Sequence, residues 1–168
     1  IGLGLIILAL QLIVEAAAPI THAQGVKVIF ASLTGDILLD ALVGALFAMI
    51  SYSSLAAVLL TATLAGAAVI SLPVAIGLVI GANIGSGILA FMSTSMQNAA
   101  GRQVALGSLL YKLIGLLLII PVLDPLVHWI DSLDFSPQEM VIGFHLLYNT
   151  ARCLILLPSV GPMARLCA

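Results

Sequence analysis

The chain has 168 residues, of which 62% are hydrophobic and 7% charged, against about 25% charged residues in an ordinary soluble domain. With a mean hydropathy of +1.30, this composition excludes a soluble fold, and runs without a two-residue alternation exclude a membrane barrel. Five basic and seven acidic residues leave a net charge of −2, which excludes the basic surface that nucleic acid requires.

Residues 1–18 predict a first apolar transmembrane helix, ending at Pro19. No basic stretch precedes them and no small-residue cleavage site follows, so they do not read as a signal peptide. The run opens without Met, and the chain is expected to be a piece of a longer protein. After the more polar THAQGVKV, residues 36–70 predict a helical hairpin with limbs DILLDALVGALFAMI and LAAVLLTATLAGAAVI around Ser51, Tyr52, Ser53 and Ser54. A limb of about 15 residues covers roughly 23 Å, short of the roughly 30 Å hydrocarbon core. The hairpin is therefore expected to be re-entrant, with its tip buried in protein or water.

Residues 73–96 are long enough to span but carry Gly81, Asn83, Gly85, Ser86 and Gly87 at their centre. Glycine costs a helix about 1 kcal/mol relative to Ala, which predicts a discontinuous transmembrane helix unwound at that point. The same glycines fit a second reading: Gly77-xxx-Gly81 and Gly81-xxx-Gly85 match the small-residue pattern of closely packed membrane helices. Residues 102–123 and 139–158 predict two more spanning helices, joined by an acidic loop carrying Asp124, Asp131, Asp134 and Glu139. Arg102, Arg152 and Arg165 then gather at one face with Lys112 nearby, while Lys27 and the acidic loop lie at the other. The positive-inside rule makes the arginine face cytoplasmic.

The fold class is thus an all-α polytopic membrane protein with a re-entrant hairpin and a broken helix. A hydroxyl-rich tip and an unwound helix are the parts from which secondary transporters build midplane sites. Half-helix N-termini face an anion, and freed carbonyls coordinate a small cation. Ser53 and Ser54 precede the second hairpin limb, and Asn83, Gly85 and Ser86 precede the half-helix from Ile88.

The pair SYSSLAAVLLTATL and, some thirty residues on, IGANIGSG resembles one repeat, here assigned as the second, of the sodium/phosphate cotransporter family. FHLLYNTARC (Phe144 to Cys153) and LGSLLYKLIG extend the likeness. The resemblance implies sodium-coupled transport of inorganic phosphate by alternating access between two inverted repeats, in a bacterial inner membrane. It assigns Ser53, Ser54, Asn83, Gly85 and Ser86 to phosphate, and Ser51, Tyr52, Gly81 and Gly87 to sodium as the coupling ion. It implies no cofactor and no other metal. Tyr52 stands where the family usually has Gln, and Leu55 where a third polar residue is common. No second tip and no second GANxG occur in the chain, so the complementary repeat half comes from elsewhere on the same polypeptide or from another chain.

No enzymatic motif competes, since HExxH and a P-loop are both missing. The alternative is a non-transporting membrane scaffold or partner subunit whose Ser and Gly clusters serve only packing. His145 with Asn149 one turn on reads as a packing pair. Asp36 and Asp40 suit the hairpin's first turn, His22 and His128 lie near interfaces, Trp129 reads as an interfacial anchor, and Lys112 snorkels or pairs with an acid. Cys153 and Cys167 lack metal spacing and read as small hydrophobes.

Overall fold

Polar residues at helix starts set the element boundaries. The computed structural model describes residues 2–19, 23–25, 28, 35–94 and 98–167; the expectations for His22 and Lys27 lie outside them. After α1 (Gly2–Ala17), Asp36 accepts hydrogen bonds from the N–H groups of Leu38 and Leu39, both at 3.0 Å, and starts α2 (Ile37–Ile50). Ser53 caps α3 (Ser54–Gly66), and α4 (Leu72–Thr94) follows. Asn98 accepts from the N–H of Gly101 to cap α5 (Ala99–Ile119). Ser136 and Glu139 form a reciprocal capping box on α7 (Pro137–Leu156). Each cap satisfies N–H groups that a helix cannot bond internally.

Among the described residues there is no strand, and three helices are long and apolar enough to cross a membrane: Leu72–Thr94, Ala99–Asp131 and Pro137–Leu166. The second of these runs from α5 through a 3-10 turn (Ile120–Val122) into α6 (Leu123–Asp131). The expected acidic loop is therefore partly helix, with Asp124 in the first turn of α6. The third runs from α7 through Leu157–Ser159 into α8 (Val160–Leu166). Pro158 lies at the start of that 3-10 turn, where its missing N–H is not needed, so the chain bends without ending the span.

Of these three, α4 is the central helix: 72% of its apolar window is buried, against 17% and 22% for the other two. It packs most extensively on α2, then on α5 and α3, and also on α7. Leu64 and Val58 of α3, Ile76, Val79 and Ile80 of α4, and Val141 and Phe144 of α7 form the fully enclosed core. The outer faces of α5 and α7 expose Leu117, Leu118, Leu146, Leu147 and Leu154, as lipid-facing helices do.

The predicted discontinuity in residues 73–96 is overturned: Leu72–Thr94 is one uninterrupted helix. The physical reason lies opposite it. A Cβ added at Gly81 would collide with the backbone of Ala41, and one at Gly85 with the backbone of Ala45. At Gly77 it would come within 2.6 Å of the Asp40 Cβ, and a Cβ at Gly44 would in turn meet the backbone of Leu78. The glycines let α2 and α4 touch backbone to backbone, and the dispersion gained there offsets their low propensity. The small-residue packing reading is the one this conformation adopts.

Candidate functional site

The tip between α2 and α3 is a tight reversal. The N–H of Tyr52 donates to the Met49 carbonyl at 3.3 Å and the N–H of Ser53 to the Ala48 carbonyl at 3.2 Å. This paired closure needs a left-handed residue just past the helix, usually Gly; here Tyr52 supplies it with φ of +52°, its side chain 82% exposed. The Ser51 hydroxyl is spent on the backbone, donating to the Phe47 carbonyl at 2.8 Å. The Ser53 hydroxyl accepts from the N–H of Ala56 at 3.1 Å as the cap of α3. Ser54, half-buried at the first helical position, keeps its hydroxyl free of any bond among the described residues. The N–H groups of Ser54 and Leu55 open the helix ahead of the capped Ala56.

On α4, Asn83 is buried, its Nδ2 donating to the Val79 carbonyl at 3.0 Å. Gly81 and Gly85 are sealed against α2 as described. Gly87 faces α5, with the Lys112 Cδ and Leu109 against it. Ser86 donates to the Asn83 carbonyl at 2.8 Å and accepts from the Lys112 Nζ at 2.8 Å. Among the described residues no hydrogen bond joins the tip to these α4 residues. The pairs Asp40–Gly77, Ala41–Gly81 and Ala45–Gly85 run α2 parallel to α4. Ser51 stands six residues beyond Ala45, about 9 Å further along the axis.

The polar centre that sequence reasoning missed lies where α5 meets α7. Lys112 bonds Ser86 rather than an acid. Arg152, expected at an interface, sits mid-span in Pro137–Leu166 because the helix continues past Pro158. Its Nη2 donates to the Asn149 Oδ1 at 2.9 Å, and its Cζ lies 5.6 Å from the centroid of the Tyr148 ring. Asn149 in turn bonds His145, with Nδ2 3.3 Å from Nδ1 and 2.8 Å from the carbonyl, the partnership its spacing predicted. The Arg152 Nη1 and the Tyr148 hydroxyl are buried without a hydrogen bond. The signal that would have found this cluster is the ladder His145, Tyr148, Asn149, Arg152, which repeats every three or four residues on one helix face.

One acid is also isolated. Asp36 is spent as a cap, whereas both carboxylate oxygens of Asp40 are fully enclosed beside Gly77 and lack a partner.

Comparison with known proteins gives this architecture a family. The model of the family described as "Na+/Pi-cotransporter" matches residues 5–128. The chain is 65% identical over 167 residues to the "Putative inorganic phosphate export protein YjbB" of Escherichia coli (strain K12), and 64% identical to its namesake in Salmonella typhimurium. Each match covers 99% of this chain and 31% of the relative, so the chain spans about a third of their length. "Uncharacterized protein YqeW" of Bacillus subtilis is 25% identical over 166 residues, 54% of its length. No solved structure matches significantly. A family model covering most of the chain, over the same hairpin and glycine-bearing helix that the sequence singled out, settles the assignment: the chain belongs to the Na+/Pi-cotransporter family.

Proposed function

We propose that this chain supplies half of the substrate path of a transporter that moves inorganic phosphate, coupled to sodium, by alternating access in a bacterial inner membrane. The observation that carries the reading is the hairpin. Its limbs have 14 and 13 residues, about 20 Å each, and a roughly 30 Å apolar layer leaves both short of crossing. In this reading their junction lies within the membrane, where the free Ser54 hydroxyl and the first N–H groups of α3 offer hydrogen-bond donors at the positive end of a helix dipole. Phosphate is an acceptor of that shape and charge.

The reading assigns phosphate to the tip, Ser53 and Ser54; Asn83, Gly85 and Ser86, which the resemblance also assigns to phosphate, lie on α4 with no hydrogen bond to the tip in this conformation. Sodium falls to the carbonyls around Ser51 and Tyr52; Gly81 and Gly87 lie within the unbroken α4 and are not assigned to it. A second, inverted repeat completes the site. The printed name of the Escherichia coli and Salmonella typhimurium relatives speaks of export, and in a coupled carrier direction follows the gradients.

Proteoliposomes carrying the full-length transporter that contains this chain test the reading, with labelled phosphate followed in both directions under sodium or potassium gradients. Sodium-dependent flux is expected, falling about tenfold in Ser54→Ala, the loss of one charge-assisted hydrogen bond. Flux indifferent to sodium would remove the coupling, and no phosphate flux from folded protein would favour the scaffold reading.

A further inference from the structure

We propose that Lys112 and Arg152, with Tyr148, form an intramembrane binding site for a phosphoryl oxyanion, separate from the hairpin tip. Both cations lie near the middle of long apolar spans, Ala99–Asp131 and Pro137–Leu166. They flank one turn of α5, the Lys112 side chain lying against Gly87 and Ser86 of α4. Gly115, three residues after Lys112, has the Arg152 Cδ and the Tyr148 hydroxyl against it, at 2.7 Å and 2.8 Å from the place a Cβ would take.

Among the described residues no carboxylate pairs with either cation. Two unpaired positive charges at membrane depth are costly, and such groups mark ligand paths. The two cations leave donors over: the buried Nη1 of Arg152 donates only and the Lys112 ammonium has donors beyond the one given to Ser86, while the Tyr148 hydroxyl beside Arg152 can donate or accept. A cluster of surplus donors carrying net positive charge selects an acceptor-only anion, and an arginine fork beside a lysine suits a phosphoryl group. Arg152, though not Lys112, also borders two mostly apolar clefts between α5 and α7, of about 490 Å³ and 310 Å³. Gly107, Tyr111 and Met163 line the first, Leu118 and Phe144 the second.

The ligand chemistry has two sources, free phosphate and the phosphate of a lipid headgroup. The site's role in the transport cycle rests on the function proposed above, whereas its anion binding does not. The full-length transporter, lipid-depleted in maltoside detergent, is titrated by calorimetry with inorganic phosphate and separately with short-chain phosphatidylglycerol. Lys112→Gln and Arg152→Gln are expected to weaken one of these ligands about tenfold each; which ligand responds names the source. Arg152→Lys, which keeps a charge but not the fork, separates loss of binding from loss of fold by retaining partial affinity at unchanged melting temperature. Unchanged affinity for both ligands in both glutamine variants overturns the proposal, even where Ser54→Ala abolishes phosphate flux and the transport reading stands. Conversely, phosphatidylglycerol binding that depends on Arg152, in a protein that moves no phosphate, sinks the transport reading and leaves this site in place.

Discussion

Tyr52 and Ala68 hold left-handed backbone, with φ of +52° and +54°, and both close the same kind of helix end. Ala68 follows α3 as Tyr52 follows α2, its N–H donating to the Ala65 carbonyl while Val69 donates to Leu64. An L side chain in this conformation costs about 1–2 kcal/mol that glycine avoids. Ala68→Gly and Tyr52→Gly are therefore each expected to stabilise the protein by about 1 kcal/mol, read from thermal unfolding of the purified transporter. Ala68 lies away from the tip, so it calibrates the conformational effect. A stabilised Tyr52→Gly variant with lowered sodium affinity would mean that the phenol is kept at the tip for the ion, against its backbone preference. The two serines separate in the same way. Ser53→Ala removes the cap of α3 and should cost about 1 kcal/mol of stability, so any loss of flux in it is confounded. Ser54→Ala breaks no hydrogen bond among the described residues and reports on substrate alone; equal destabilisation of the two variants would contradict this division.

The pairing of α2 with α4 explains which parts of the fold were legible in the sequence. Short apolar limbs, polar caps and the hydroxyl junction are local signals, and α2 and α3 fall within the stretch that composition marked as a hairpin. The state of α4 is not a local property. Glycines 81 and 85 weaken a lone helix and equally admit a neighbour, and the choice depends on Ala41 and Ala45, some forty residues upstream. Once those small residues stand opposite, close contact outweighs about 1 kcal/mol of propensity per glycine. Gly81→Ala is expected to destabilise by about 1–3 kcal/mol despite its better helix propensity, because its methyl group must displace the Ala41 backbone. Gly143→Ala, with open space around it on α7, gains propensity and should stabilise by up to about 1 kcal/mol. Melting of the two variants decides the matter: a stable Gly81→Ala protein would show that the α2–α4 contact is loose enough to part, as an unwinding α4 requires.

At the scale of the molecule, one parallel register fixes how deep the tip lies. Level at Ala45 and Gly85, α2 runs on six residues to Ser51 while α4 runs on nine to Thr94, so α4 overtops the tip by about 5 Å. The register also separates the tip from the Lys112–Arg152 centre; Arg152 reads as close to an end because the sequence predicts a span over 139–158, whereas it runs on to Leu166. In the two proposals an anion-binding tip and a deep positive charge lie at different depths of the same path. If the hairpin is re-entrant, a cysteine at Tyr52 sits below the membrane surface on the side where Asn98 emerges. In an otherwise cysteine-free transporter, a bulky membrane-impermeant maleimide added from that side should modify Asn98→Cys fully and Tyr52→Cys slowly. Phosphate with sodium should slow the second reaction further and leave the first unchanged, because ligand fills the tip but not the surface. Equal, ligand-insensitive labelling of both positions would mean that the short limbs cross the bilayer, placing the serines in bulk water where phosphate gains nothing from them.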